Sequence, residues 1–121
     1  MIKRLFLICS CFFFFACPPK DDGLACTEEY VYGLSITVKD GNTGLFITEN
    51  STLIAKDGNY TEELMGFPES TNFVGAGERP GTYSIYISAE GYQAFTSEEI
   101  QVMGDECHVI PEARTFELLP L

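Results

Sequence analysis

The clearest structural signal in the chain is an alternating segment, Tyr83-Ser84-Ile85-Tyr86-Ile87-Ser88-Ala89. Neighbouring side chains of a β-strand point to opposite faces, so this period of two residues indicates a strand with one buried face. The same period recurs between Tyr32 and Lys39, and no window of comparable length has an apolar stripe at helical spacing. We therefore predict a nearly all-β domain.

Turn-forming sequences rich in glycine and proline separate the alternating runs. They are Asp40-Gly41-Asn42, Asp57-Gly58-Asn59, Arg79-Pro80-Gly81 and Glu90-Gly91. We predict strands at 30–39, 45–48, 51–56, 60–65, 72–76, 82–89, 93–96, 99–103 and 113–119. Seven or so antiparallel strands suit a β-sandwich, in which two sheets cover one core, and a closed barrel is the less favoured alternative.

Length and charge exclude several classes of function. A chain of 121 residues accommodates one domain, which excludes a multidomain enzyme. A formal net charge of −11 offers no basic surface for phosphates, so we expect no nucleic-acid partner. With 45% hydrophobic and 13% aromatic residues, the chain is too apolar for a disordered acidic tail.

Residues 1–16 have the pattern of a signal peptide. Lys3 and Arg4 precede an apolar run of 12 residues, Leu5 to Ala16. A helix that spans a bilayer needs about 20 residues, so a permanent transmembrane segment is less favoured than a cleaved signal.

Cys17 follows this run in a sequence that resembles a bacterial lipobox, Phe14-Phe15-Ala16-Cys17. A signal peptidase cuts such a sequence before the cysteine, which then carries lipid such as palmitate and anchors a lipoprotein to the membrane. An ordinary secretory signal is the alternative.

Residues 17–25 are predicted to form a flexible tether, because prolines and charged residues leave little that could pack. Within it, Lys20-Asp21-Asp22 resembles the export signal of some lipoproteins on the outer face of the Gram-negative outer membrane. That resemblance implies a location on the cell surface. A solvated linker is an equally good interpretation of these charges.

Two cysteines, Cys26 and Cys107, remain for the predicted domain at 26–121, because Cys9 and Cys11 leave with the signal and Cys17 carries lipid. In an oxidising compartment they are expected to form a disulfide that links the first strand region to the last.

No residue pattern points to catalysis, a metal or a cofactor. His108 is the single histidine, so a zinc site or a hydrolytic triad lacks ligands or partners, and we expect His108 to be structural. Lys39-Asp40-Gly41-Asn42 recurs as Lys56-Asp57-Gly58-Asn59, but this repeat fits two hairpin turns better than calcium loops. The paired acids Glu62-Glu63 and Glu98-Glu99 are expected to be solvated edge charges. We predict that the chain is not an enzyme.

The segment from Pro80 to Tyr92, with the sequence PGTYSIYISAEGY, resembles the proline-glycine-threonine-tyrosine strand of carboxypeptidase regulatory-like domains. These are transthyretin-like β-sandwiches related in shape to immunoglobulin domains. The resemblance extends from Tyr32 to Leu119 and implies a noncatalytic module. Residues 66–71 form a longer loop than a minimal member needs, either a binding loop or a tolerated insertion.

Tyrosines provide the remaining functional hint. Tyr30, Tyr60 and Tyr86 fall on or near faces that are open to solvent in the predicted strands, and Tyr60 and Tyr86 are candidate ligand contacts because flat rings stack on sugars. Core or cross-strand packing is the alternative role for each.

The leading hypothesis is a monomeric lipoprotein that serves as an interaction or structural module, with a protein or glycan partner at the cell surface. The second is a glycan-binding accessory protein of a nutrient-uptake system. The third, an enzyme, would need a cluster of acids around His108.

Overall fold

Nine β-strands and no helix make up residues 26–121, the part of the chain that the structure, a computed structural model, describes. The strands are β1 (Tyr32–Asp40), β2 (Ser51–Asp57), β3 (Tyr60–Glu63), β4 (Met65–Gly66), β5 (Asn72–Gly77), β6 (Gly81–Ala89), β7 (Phe95–Thr96), β8 (Ile100–Val102) and β9 (Glu112–Leu118). The predicted all-β class is confirmed, with nine strands where seven or so were expected.

The strands form two sheets. Sheet 1 has the order β4-β5-β1-β9, and sheet 2 has the order β3-β2-β6-β7, with β8 paired to the beginning of β6. Every pairing is antiparallel except that of β1 with β9, which is parallel and sets Ile36 opposite Arg114. The sandwich is therefore mixed rather than purely antiparallel.

The core lies between the inner faces of the sheets, where the alternating positions of β1 and β6 meet. Its largest fully buried side chains are Tyr83, Leu34, Ile36, Leu53, Ile85, Ile87, Leu118, Val38 and Val102. Truncating a buried leucine or isoleucine of this kind to alanine costs about 2 to 5 kcal/mol. The period of two residues therefore identified the two longest strands correctly.

Two predicted strands are wrong, and the bounds of the others shift by up to two residues. Residues 45–48 make only an isolated bridge, Lys39 to Phe46, because the chain folds back on the end of β1 and turns away at Asn50, where φ is +55°. The predicted strand 60–65 is divided at Leu64, which points into the core and donates its amide to the Leu53 carbonyl at 2.8 Å. β3 therefore belongs to sheet 2 and β4 to sheet 1.

Cys26 and Cys107 form a disulfide, with Cα atoms 5.2 Å apart. The bond joins the segment before β1 to the loop between β8 and β9, as the sequence predicted. We call this end of the sandwich, with the loops at 58–59, 78–80 and 103–111, the proximal end. The distal end carries the loops at 41–50, 66–71 and 90–94. At ~3.3 Å per residue, the nine residues of β1 separate the ends by about 26 Å.

The predicted signal peptide at 1–16, the lipidated Cys17, the tether at 17–25 and the export signal Lys20-Asp21-Asp22 lie outside the described residues. Within 26–121, no helix is long and apolar enough to cross a membrane.

Candidate functional site

The outer face of sheet 2 carries a shallow depression of about 510 Å³. We call it the hydroxyl face, and it is lined by Ile54, Lys56, Thr61, Ser84, Tyr86 and Thr96. These side chains point away from the core because each alternates along its strand with residues that are more buried.

Strand register places these residues in two rows across the sheet. In one row Lys56 of β2 lies between Thr61 of β3 and Ser84 of β6. In the other row Tyr86 lies between Ile54 and Thr96, and Ile54 is opposite Glu63 on its other side. Tyr86 is 41% exposed, so its ring is open to a ligand at the centre of the face.

The charge of the hydroxyl face differs from that of the rest of the molecule. The chain has 18 acidic and 7 basic residues, yet the lining holds one cation, Lys56, and no carboxylate. Four other shallow depressions are each lined by at least one glutamate. The lining of the hydroxyl face thus has fewer acidic groups than the other four depressions, and Glu63 of β3, opposite Ile54, borders it.

Tyr60, the other tyrosine singled out in the sequence, is not part of this face. Its side chain packs against the core, the Arg79 guanidinium carbon lies 3.6 Å from its ring centre, and its hydroxyl donates to Glu62 at 2.8 Å. The bond to Glu62 raises the pKa of Tyr60. The structure therefore does not bring Tyr60 and Tyr86 together.

Glu62 joins the two sheets at one side of the sandwich. Both of its carboxylate oxygens lie 3.1 Å from the amide nitrogen of Ala76, a residue of β5 with φ of +53°. Glu63 points outward, so the adjacent acids occupy opposite faces, as expected. Glu62 has a structural role that the sequence analysis missed, because its partner belongs to the other sheet.

A second polar cluster occupies the proximal end around Glu78. The carboxylate of Glu78 accepts hydrogen bonds from the amides of Val31 at 2.9 Å and Val109 at 3.2 Å, and it lies 2.6 Å from Nδ1 of His108. Nε2 of His108 lies 3.0 Å from the hydroxyl of Thr27. These contacts hold the segment after Cys26 against the loop that carries Cys107.

The electrostatics of this pair favour its charged form. The hydrogen bond to Glu78 holds the pKa of His108 above its ordinary value of 6.5. Partial burial raises the pKa of Glu78, but bonds from His108, Val31 and Val109 outweigh it and hold the pKa below its ordinary value of 4.5.

A third cluster fixes the distal end. Asp40 accepts a hydrogen bond from the Tyr92 hydroxyl at 2.6 Å and bonds from the amides of Asn42 and Thr43. The Tyr92 bond is the main reason that the pKa of Asp40 is lowered. The first copy of the repeat, at Asp40, is therefore a capped turn.

The loop at 66–71, also at the distal end, borders a depression of about 370 Å³ that is lined by three glutamates. Residues 26–121 contain no group of three His, Cys, Asp or Glu side chains that could hold a metal ion.

No protein-family model matches the sequence, and no curated protein matches it significantly. The contacts around the hydroxyl face are accordingly the basis for a functional proposal. Of its lining residues, the sequence analysis identified Tyr86. It missed Lys56 and Thr61, although the Asp57-Gly58-Asn59 turn is a hairpin signal that sets these two side chains opposite each other.

Proposed function

We propose that this chain is a noncatalytic binding module, held by lipid on Cys17 to the outer face of an outer membrane. The observation that carries the proposal is the position of Cys26. It directly follows the predicted tether, and its disulfide to Cys107 fixes the start of the domain at the proximal end. A chain anchored there directs its distal loops away from the membrane.

Distances support this orientation. Nine residues from Cys17 to Ala25 reach at most about 30 Å when fully extended. A tether of this length separates the domain from the membrane. The hydroxyl face, on the side of the sandwich, is therefore accessible to large molecules. The acidic charge of the domain also disfavours close contact with anionic headgroups.

The roles of the chemically capable side chains support a binding module over an enzyme. His108 is bonded to Glu78 and Thr27, and Asp40 is bonded to Tyr92 and two backbone amides. Each of these bonds joins segments that are distant in sequence or closes a turn. These groups therefore serve the fold.

We also propose that the domain is of the carboxypeptidase regulatory-like kind, with a transthyretin-like sandwich. The supporting observation is that Pro80-Gly81-Thr82-Tyr83 leads into the central strand of sheet 2, as the resemblance implies. Tyr83 is fully buried, and its hydroxyl donates to the carbonyl of Arg79 at 2.7 Å. The segment that carries the resemblance thus contains a buried tyrosine that stabilises the turn before β6.

The proposal is tested on intact cells that produce the full chain. We expect a membrane-impermeant amine-reactive crosslinker to label the protein, and the label to stay with the membrane fraction. In Cys17→Ser, the matched variant, the lipid has no attachment atom and the peptidase has no lipidated cysteine before which to cut, so the chain should keep residues 1–16 and carry no acyl group in mass spectrometry. Wild-type chain that is unlabelled on intact cells but labelled in lysed cells contradicts the surface location. Cys17→Ser that is cut and acylated like the wild-type chain contradicts the anchor at Cys17.

A further inference from the structure

We infer that the hydroxyl face binds an uncharged polysaccharide chain laid across β3, β2, β6 and β7. The inference names the ligand class of the proposed binding module and rests on that proposal. The two rows of side chains on the outer face of sheet 2 provide free hydrogen-bonding groups for such a chain.

The hydroxyls of this face are available to a ligand. Within residues 26–121, the side chains of Thr61, Ser84 and Thr96 form no hydrogen bond, and neither does the hydroxyl of Tyr86. Each can donate one bond and accept others, which matches the hydroxyl groups of a sugar.

The outer face of sheet 1 shows the contrast. There Asn72 donates to the hydroxyl of Ser35 at 2.7 Å and accepts from Thr37 at 3.2 Å. Its polar side chains thus satisfy one another across β1 and β5. The hydroxyls of Thr61, Ser84, Tyr86 and Thr96 on the hydroxyl face form no such bonds to one another or to other described residues.

The centre of the hydroxyl face provides the apolar contact that a sugar ring needs. Tyr86 and Ile54 are directly opposite in the β2–β6 pairing, so an aromatic ring and an aliphatic side chain lie side by side. The C–H face of a sugar packs on such a surface while its hydroxyls bond to the surrounding groups. Three strand spacings of ~4.8 Å give the face a width suited to an extended chain rather than a single sugar.

Charge selects the class of polymer. The net charge of −11 repels anionic chains at a distance, and a cationic chain would find more carboxylates at the other depressions. Lys56 in the lining and Glu63 at its border give the face one charge of each sign, which suits a chain without net charge, and the Lys56 ammonium adds hydrogen-bond donors for sugar hydroxyls.

The test uses the full chain purified in detergent micelles, titrated by calorimetry with linear hexasaccharides of glucose, mannose and xylose. A galacturonic acid hexasaccharide is the anionic probe. We expect at least one neutral hexasaccharide to bind. Tyr86→Ala should weaken that binding about tenfold or more, whereas Tyr86→Phe, which keeps the ring, should weaken it much less.

Two further variants separate the site from the fold. Ser84→Ala removes one free hydroxyl and should weaken binding several-fold with the unfolding temperature unchanged. Tyr30→Ala is the matched control, because Tyr30 is 63% exposed but packs beside Gly77 of sheet 1. It should leave the affinity unchanged.

Any of four results would overturn the inference: no binding by any neutral probe, binding of the acidic probe alone, equal affinity in folded Tyr86→Ala, or self-association of the chain through this face without sugar binding. Because the chain is in micelles, the result does not depend on lipid at Cys17. Failure of the anchor and failure of the site are therefore distinguishable.

Discussion

At the scale of single residues, Glu78 shows how a few side chains hold this domain. It follows β5 with φ of +50° and accepts bonds from residues 47 positions before it and 30 and 31 positions after it. A sequence pattern cannot reveal such partners, because they become neighbours only after both sheets form. His108 could be predicted as structural, but its partners could not.

The Glu78–His108 pair predicts a dependence of stability on pH. The raised pKa of His108 contributes stability that is fully present below pH 6.5 and is lost as pH rises through the folded value. The lowered pKa of Glu78 contributes stability that is present above pH 4.5 and is lost as pH falls through its folded value. We expect thermal unfolding at a series of pH values to show a maximum between these limits.

His108→Gln is the control for this prediction. It cannot titrate, so the decline in unfolding temperature above pH 6.5 should be reduced. The acid-side decline should remain, because Asp40 and Asp105 also have lowered pKa values. An unchanged decline above pH 6.5 in this variant would show that His108 is not its cause.

A second residue-scale prediction concerns the buried tyrosine Tyr83. Its hydroxyl accepts from Nη1 of Arg79 at 2.9 Å and donates to the Arg79 carbonyl. Tyr83→Phe should therefore lower the free energy of unfolding by about 1 kcal/mol, measured in urea. Tyr86→Phe removes an exposed hydroxyl from the same strand and should change stability little. Equal losses in the two variants would contradict the assigned role of Tyr83.

At the scale of elements, the long strands could be predicted and the short ones could not. β1 and β6 each carry enough alternating positions to identify one buried face. β7 and β8 have two and three residues, and their pairing depends on Ser97, whose hydroxyl accepts from the Ile85 amide at 2.9 Å. The change of sheet at Leu64 likewise depends on the core of the whole domain.

The edge strand β9 shows how the fold limits unwanted pairing. Glu112 and Arg114 are in register with Leu34 and Ile36 of β1, so these charged residues lie on the inner side of the sheet edge, joined by an ion pair at 3.1 Å. Inward-pointing charges on an edge strand oppose pairing with another chain. The sequence analysis assigned such protection to Glu62-Glu63 and Glu98-Glu99.

Arg114→Ile should therefore promote self-association, because it removes one of the two inward-pointing charges of the edge strand and adds an apolar side chain there. Thr115→Ile places the same side chain on the outer face of β9 and is the matched control. Size-exclusion chromatography at increasing concentration should show oligomers for the first variant and fewer for the second. Two equally monomeric variants would show that the charge at Arg114 does not protect this edge.

At the scale of the whole molecule, the disulfide defines the proximal end and closes a covalent loop that contains most of the domain. In the chain-entropy model, closing a loop of 81 residues stabilises a domain by about 4 to 5 kcal/mol. The double variant Cys26→Ser, Cys107→Ser should lose stability of this order in urea unfolding. A loss under about 1 kcal/mol would show that the sandwich needs no such constraint.

The candidate site also belongs to this scale. The sequence identified Tyr86 as a candidate contact, and hairpin chemistry could have added Lys56 and Thr61. It could not show that Ile54 and Thr96 flank the ring, because that requires the order of the three strands β2, β6 and β7. The sequence also could not show that Tyr60 and Tyr86 lie on different faces of the sheet, because the inner position of Tyr60 depends on its contacts with Arg79 and Glu62.

Mass spectrometry of the protein extracted from membranes tests most directly whether the chain is a lipid-anchored module. We predict that the mature chain begins at Cys17 and carries a diacylglycerol group and an additional acyl chain on this residue. A chain that begins elsewhere, or an unmodified Cys17, would contradict the anchor and the orientation that follows from it.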